Sequence, residues 1–335
     1  MKEVFFVSII IPTYNNKDSL KKTVISLCEQ SYPKDKYEII VVDDGSTDDL
    51  GKDFISWQRV CSCQLRYFFQ KNKGPAAARN LGIRYAVGDI IAFIDSDCIA
   101  TNTWLEEIVK GYNNEKIAGI GGTIKALPTA SKISQYCAYI KMNERPVIDK
   151  TGIVYLITGN ASFKKDCLNL IGGFDERYDF PGGEDPDICY RMRKYGYIFQ
   201  YNKNAVVYNK HKERLRDLLK TYFNYGKGES FLALRKFSYW ELKSVTGFKW
   251  LIYFIKTIGY MALAFMNNIK LIIRFLKIPF KALSYYGQGL SIRDSVLYAS
   301  LDYAKDFSFM QGCYFGYFIG KFKGFRKNDD LLYLK

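Results

Sequence analysis

A chain of 335 residues, 48% of them hydrophobic, is long enough for one large or two modest domains and apolar enough for a packed core, which excludes a disordered protein. The net charge of +15 is unevenly placed: residues 211–335 carry 21 Lys and Arg against 9 Asp and Glu, which leaves +3 on residues 1–210. That asymmetry predicts a nearly neutral part joined to a basic part that meets nucleic acid or an anionic membrane.

The opening "MKEVFFVSIIIPTYNN" has an early acidic residue and no small-residue cleavage site, so no secretory leader and a cytosolic amino terminus are expected. The eight cysteines are scattered, several of them (Cys28, Cys137, Cys167, Cys189) inside apolar segments. The close pair "CSC" at 61–63 lacks a zinc-like partner, so reduced thiols are expected throughout.

The first half alternates strand and helix patterns. "VFFVSIIIP" (4–12) is followed by a helical stretch over 19–29, then by "YEIIVVDD" (37–44) and "LRYFFQ" (65–70). A helix over 75–86, the strand "DIIAFIDSD", a helix near 103–112 and a strand over 117–125 come next. Such alternation gives a mostly parallel sheet with helices on both faces. A segment dense in Gly, Asp and Glu comes after it, with a helix expected from Pro186 to Lys194. From about residue 216 the chain turns helical, basic and aromatic, so 1–215 and 216–335 read as two domains.

The run Ile90–Ile94 is too short for a typical helix and reads as a strand buried on both faces, which places Asp95 and Asp97 at its carboxyl end. In open α/β sheets ligands bind at that edge. Two carboxylates this close repel each other, and a cation is the natural compensator, although a turn and a helix cap use the same residue types. "IIVVDDGSTDD" delivers Asp43 and Asp44 to the same edge, where a carboxylate can accept from a ribose hydroxyl or a base N–H. After the first strand stands "PTYNNKDSL", without a G-x-G-x-x-G turn, and no G-x-x-x-x-G-K-[ST] loop occurs, which argues against a dehydrogenase and a P-loop enzyme.

"VSIIIPTYNN", "VVDDGSTDD", "NKGPAAARNLGIRYAVGDIIAFIDSD", "GNASFKKDCLNLIGGFDE" and "GEDPDICYRMRKYG", in that order and spacing over residues 4–228, resemble an inverting family-2 glycosyltransferase with the GT-A fold. The resemblance implies a nucleotide-diphosphate sugar donor, foremost a UDP-sugar, a Mn²⁺ or Mg²⁺ ion held by the D-x-D element, and inversion at the anomeric carbon. It implies Asp97 as a direct metal ligand, with Asp95 facing the ribose or a metal-bound water. Pro12, Thr13 and Tyr14 would line the nucleotide pocket, Asp44 would accept from the base, and Arg79 would lie near the nucleotide. Hard divalent cations prefer carboxylate oxygen, which agrees with Asp97 as ligand.

An inverting transfer needs a base for the acceptor hydroxyl. The resemblance points to Asp185, with Glu184 contacting the acceptor or orienting the loop. Both acids would also favour the amino terminus of the helix after them, and Arg191 is placed to pair with one of them. His211, the single histidine, follows the strand-like "NAVVYNK" where similar enzymes carry a third metal ligand.

In "FKWLIYFIKTIGYMALAFMNNIKLIIRFLKIPFK" (248–281), Lys249, Lys256, Lys270, Arg274, Lys277 and Lys281 share one helical edge of an otherwise apolar segment. An interfacial helix meeting anionic headgroups is the favoured reading, ahead of a spanning helix or a core helix with snorkelling lysines. The aromatic residues recur inside apolar runs rather than along a polar groove, so no nucleic acid is expected. The sequence therefore predicts a peripheral enzyme on the cytoplasmic face of a membrane, acting on a glycan or lipid-linked acceptor in cell-surface polysaccharide or glycoconjugate synthesis. The rivals are a catalytically inactive glycan-binding scaffold and a sugar-nucleotide pyrophosphorylase. The latter needs a Gly-rich loop where "PTYNN" stands.

Overall fold

In the computed structural model, residues 4–237 and 275–323 are described. The chain divides between Glu213 and Arg214 into two units.

The first unit is built on strands β1 (Val7–Thr13), β2 (Tyr37–Asp43), β3 (Gln64–Phe69), β4 (Ile90–Ile94), β5 (Cys98–Ala100) and β6 (Ile117–Ala126). A small hairpin of β7 (Val147–Asp149) and β8 (Gly152–Tyr155) precedes β9 (Asn160–Lys164) and β10 (Ile198–Asn209). The main sheet has eight strands in the order β3-β2-β1-β4-β9-β6-β10-β5. Strands β3, β2, β1 and β4 run parallel, β9 is antiparallel to both β4 and β6, β10 is parallel to β6, and β5 is antiparallel to β10. The sheet is thus mixed and mostly parallel, as the alternation of patterns predicts.

The period of two along β1 sorts its side chains between layers. Val7, Ile9 and Ile11 join Leu20, Val24 and Leu27 of α1 (Lys17–Cys28) and Phe54 and Trp57 of α2 (Leu50–Val60) in one core. Ile10 faces α3 (Pro75–Tyr85), where a Cβ on Gly82 would come within 2.5 Å of its Cγ2. The side chains of both layers are buried, and each fully buried Ile or Val contributes roughly 1.5–3 kcal/mol relative to exposure. Asn160 at the start of β9 ties the reversed strand to its neighbours, donating to the carbonyls of Thr123 and Ala205 at 2.9 Å while accepting from the Trp104 indole at 2.8 Å.

Three local features depart from the expected elements. Helix α2 is not legible in the sequence, because its "LGKDFISWQRV" buries only Leu50, Phe54 and Trp57. Helix α4 (Trp104–Ile108) stops short of residue 112, with Gly111 at φ +128° just beyond it. Helix α7 (Glu184–Lys194) begins two residues earlier than expected, since Pro186 fits within the first turn, where its missing N–H costs nothing. Short helices α5 (Lys132–Tyr139) and α6 (Lys165–Leu170) complete the unit.

The expectation of reduced thiols throughout is corrected. Cys28, the last residue of α1, and Cys61, which caps α2, form a disulfide with Cα atoms 5.4 Å apart. Both helices return along one face to the amino edge of the sheet, so their ends meet there although 33 residues separate the cysteines in sequence. The sulfur of Cys63 stands 3.4 Å from that of Cys61.

In the second unit, α8 (Leu215–Phe237) packs against a long helix, α10 (Ile292–Phe322), with α9 (Ile278–Gly287) laid on α10. Gly226 and Gly312 bring the backbones of α8 and α10 together, since a Cβ on either would strike the carbonyl of Phe309 or Phe223. Ser230 and Ser308 seal the seam by donating across it to the carbonyls of Cys313 and Leu219, each at 2.7 Å. Buried Asp302 of α10 accepts from the Tyr285 hydroxyl and pairs with Lys281 at 2.9 Å and Lys305 at 2.8 Å. Most of the cationic stripe expected over 248–281 lies outside the described residues. Among the described residues no helix is long and apolar enough to cross a membrane.

Candidate active site

Strands β1, β2 and β4 are parallel and in register, so the loops that leave them rise together from one edge of the sheet. These loops are sewn to each other. Asn15, at φ +48°, accepts from the Thr47 N–H at 2.7 Å, and its own N–H donates to the Ser46 hydroxyl at 2.8 Å. The Lys17 N–H donates to Asp48 at 3.0 Å, and the Asn16 amide donates to the Ser96 hydroxyl at 2.9 Å. Residues 14–17, 46–48 and 95–97 therefore form one preorganised rim. Below it Pro12 is half-buried, Tyr14 is exposed, and the Thr13 hydroxyl is buried with no partner among the described residues.

Asp43 and Asp44 sit on this rim with their oxygens already engaged. Asp43 accepts from the Ser46 N–H at 2.8 Å and the Tyr67 hydroxyl at 2.7 Å. Asp44 accepts from Gln70 at 2.6 Å, the Lys73 N–H at 2.9 Å and the Gly74 N–H at 2.8 Å, which pins the entrance to α3. Three of the roughly four acceptor directions of a carboxylate are used there.

The carboxylates after β4 are balanced differently. Asp97 accepts from the Asn209 amide at 2.9 Å and from the Cys98 thiol at 3.9 Å, and its carboxyl is held above the usual carboxylate range by burial and then by the negative charge of Asp95. Lys212 offsets part of this. Asp95 pairs with Arg79 at 3.2 Å, and a Cβ on Gly159, in the turn before β9, would come within 2.8 Å of its Oδ2, although the Asp95 side chain stays 43% exposed.

Arg79 is the centre of the arrangement. It projects from α3, almost wholly buried, and its guanidinium spans Asp95 and Glu184, the latter at 3.0 Å, while lying over the Phe174 ring. Burial opposes its charge, but the carboxylates of Glu184, Asp185 and Asp95 outweigh burial and raise its pKa. The other oxygen of Glu184 accepts from the Gly182 N–H at 2.7 Å. Gly182 and Gly183, at φ +137° and +99°, adopt a backbone that other residues rarely tolerate, and it brings the first turn of α7 against α3.

Asp185 is held by a single residue, Thr158, whose N–H donates at 3.0 Å and whose hydroxyl donates at 2.6 Å. Its pKa is pushed up to about 7, first by burial and then by the charge of Glu184, with Arg79 and Thr158 acting in the opposite sense. Such a carboxyl takes and releases protons near neutrality. Thr158 lies beside an open cleft of about 490 Å³ whose lining includes Lys141, Arg145 and Ile157.

The structure thus gathers Arg79, Asp95, Glu184 and Asp185 into one charged group. His211 lies two residues past Asn209, and burial, then the charge of Lys212, lowers its imidazole below the ordinary pKa. It does not join Asp95 and Asp97 in a three-ligand group: among the described residues the close group of three is Cys28, Cys61 and Cys63. Arg191 pairs with neither Glu184 nor Asp185. It bonds Asp187 at 2.9 Å, one turn away on its own helix, and the carbonyls of Ile171 and Gly173, which makes it a packing residue. Sequence reasoning misses Thr158 and Asn209, which hold Asp185 and Asp97. Both stand beside recognisable motifs, but nothing in their local pattern reveals a partner 27 or 112 residues away.

Residues 8–171 match the family model described as Glycosyl transferase family 2. A pre-mycofactocin glycosyltransferase of Mycobacterium tuberculosis is 30% identical over 237 residues, 68% of this chain and 48% of the relative. Glycosyltransferase AglE of Haloferax volcanii is 29% identical over 228 residues, 67% and 73% of the two chains. The chain thus spans about half the length of the first of these relatives. Among solved structures, the mannosyltransferase PcManGT from Pyrobaculum calidifontis, in complex with GDP-Man and Mn²⁺, aligns with a TM-score of 0.59 at 18% identity, covering 92% of this chain and 88% of that one. GalNAc-T7 with UDP, GalNAc and Mn²⁺ aligns at 0.54 and 14% identity, over 77% and 55%. The fold is the one these two structures share.

Proposed function

The chain belongs to glycosyl transferase family 2 and has the GT-A fold, and from that premise we propose that it transfers a sugar from a nucleoside-diphosphate donor to a hydroxyl of a glycan or lipid-linked acceptor, with inversion. The observation that carries this reading is Asp185: a carboxyl with a pKa near 7, hydrogen-bonded to Thr158 beside an open cleft, one residue from a Glu184 locked to Arg79.

In this reading the rim at the carboxyl edge receives the donor. The unpartnered Thr13 hydroxyl, Pro12 and exposed Tyr14 line the nucleotide side, with Asp44 and Asp95 as acceptors for base and ribose. The donor set fits a hard divalent cation, because the half-buried Asp97 carboxylate faces the charge of Asp95 with Lys212 and Asn209 offsetting only part of it, and a cation there removes that cost. Asp97 would hold Mn²⁺ or Mg²⁺, and the ion would supply charge neutralisation for the departing diphosphate. Asn209 orients Asp97 for that role.

Asp185 accepts the proton of the acceptor hydroxyl. Thr158 fixes both of its oxygens, and Arg79, by holding Glu184 and Asp95, keeps that base at a set distance from the donor side. Lys141 and Arg145 on the cleft favour an acceptor with an anionic group. The second unit is the membrane-facing part in this proposal: Leu276, Phe280, Leu283 and Tyr286 are exposed near Lys277, within a region of strongly positive charge, which fits the anionic surface of a cytoplasmic leaflet.

Screening a panel of nucleotide sugars for thermal stabilisation with and without Mn²⁺ tests the donor assignment, since a ligand that binds only the native state raises its melting temperature. One donor class should stabilise the wild type in a Mn²⁺-dependent way and Asp97→Asn much less. No stabilisation by any donor would support a scaffold instead.

A further inference from the structure

The three sulfurs of Cys28, Cys61 and Cys63 lie within 4.8 Å of one another at the amino edge of the sheet, the edge opposite the loops described above. Thiol–disulfide exchange needs an attacking sulfur in line with the bond it breaks. Here the third sulfur closes a triangle. Once the bond is open that shape suits coordination: thiolates about 2.3 Å from one thiophilic ion are about 4 Å apart, and Cys63 already stands 3.4 Å from Cys61 with all three sulfurs inside 4.8 Å.

The surroundings suit it too. Lys34 places its ammonium on the carbonyls of Cys28 at 2.7 Å and Gln30 at 2.5 Å, and lies 3.2 Å from the Tyr37 hydroxyl. Tyr37 hydrogen-bonds to Cys63, and the charge of Lys34 acts on the same thiol. Three thiolates around a divalent ion leave one net negative charge, which a fixed ammonium offsets.

We infer that, once the Cys28–Cys61 bond is open, Cys28, Cys61 and Cys63 form a binding site for one thiophilic d¹⁰ cation of the Zn²⁺ class, which ties the ends of α1 and α2 to the start of β3. Two electrons and two protons from a thiol or phosphine reductant convert the disulfide to two thiols. Metal binding then releases the three thiol protons to solvent. Disulfide and metal complex are alternative closures of the same three-sulfur group, so the oxidised protein does not bind. The inference is independent of the donor-site reading, because oxygen ligands at Asp97 and sulfur ligands here give different spectra.

The test uses the full chain reduced with a phosphine and titrated with Co²⁺ as probe, followed by displacement with Zn²⁺. The expected result is one equivalent of Co²⁺ bound with thiolate-to-cobalt charge-transfer absorption, displaced by Zn²⁺, absent from the oxidised protein and weakened at least roughly 10- to 100-fold in Cys63→Ser. Cys28→Ser serves as a second variant should the first fail to fold, and the comparison of oxidised with reduced wild type needs neither. Absence of the charge-transfer band in reduced wild type, or an unchanged band and affinity in a folded Cys63→Ser protein, would overturn the site.

Discussion

The ends of β2 and β4 look alike in sequence, each a buried apolar run delivering two acids to one edge of a parallel sheet, yet the fold treats them oppositely. At the end of β2, Asp43 and Asp44 accept five hydrogen bonds from within the protein. At the end of β4, Asp97 accepts from Asn209 and from the Cys98 thiol while repelled by Asp95, and Asp95 shares Arg79 with Glu184. The neighbouring backbone makes the difference. A glycine turn and the start of α3 supply N–H donors to the first pair, whereas the second pair is met by side chains, the Asn209 amide at Asp97 and the Arg79 guanidinium at Asp95. An acid pair at a strand end thus reports a cation site only where its charge is left uncompensated.

The largest effect expected of a single change is at the residue that the β4 side serves. Asp185→Asn should lower turnover about 10²- to 10⁴-fold, the usual cost of losing a general base, with donor affinity within a few-fold of wild type by calorimetry. Turnover close to wild type would move the base to Glu184 or elsewhere.

Next, the two strand ends should respond with opposite signs. Asp43→Ala strands the Ser46 N–H and the Tyr67 hydroxyl and should cost about 1–3 kcal/mol of stability by urea unfolding, with only a small change in donor affinity. Asp97→Asn should instead leave stability unchanged or raised at neutral pH and abolish Mn²⁺-dependent donor binding. If Asp97→Asn destabilises as much as Asp43→Ala does, the contrast between the two ends fails.

A smaller effect comes from the raised carboxyl of Asp185. A group whose folded pKa is near 7 against an unfolded value near 3.9 binds more protons in the folded state, so stability falls as pH rises between those values. Melting temperatures of wild type and Asp185→Asn should therefore diverge from pH 4 to pH 8, the variant gaining a few degrees at the upper end. The same carboxyl predicts that kcat/KM rises with pH through an acidic limb near 7. Parallel melting curves for the two proteins would contradict the raised value.

The smallest expected effect is on the second unit. Leu283→Ser with Phe280→Ser should weaken binding to anionic vesicles and leave turnover of a soluble acceptor unchanged, because both side chains are exposed and belong to the second unit. Equal vesicle binding by variant and wild type would remove α9 from the membrane reading.

Much of the fold is legible in the sequence because buried parallel strands announce themselves: β1, β2 and β4 are runs of Ile, Val and Phe, and the acidic and "PTYNN" motifs begin directly at their ends. Helix α2 is not, since its few apolar residues give a weak period, and the disulfide is hidden because only the packing of α1 and α2 brings Cys28 to Cys61. In the candidate site, the motifs single out Arg79, Asp95, Glu184 and Asp185, but not the distribution of their bonds. The pairing of Arg79 with Glu184 spans 105 residues, and the diversion of Arg191 to Asp187 depends on where α7 begins. Spacing along the chain finds acids, and only the folded backbone decides which of them are left with charge to spare.

The central claim is that Asp185 acts as the base of an inverting transfer at the carboxyl edge of this sheet. It is tested most directly by following donor consumption by NMR, once the donor class is known, in wild type and Asp185→Asn side by side. The account predicts that the first-formed sugar product carries the anomeric configuration opposite to the donor and that this product forms about 10²- to 10⁴-fold more slowly in the variant. Retained configuration, or a variant that turns over at the wild-type rate, would contradict it.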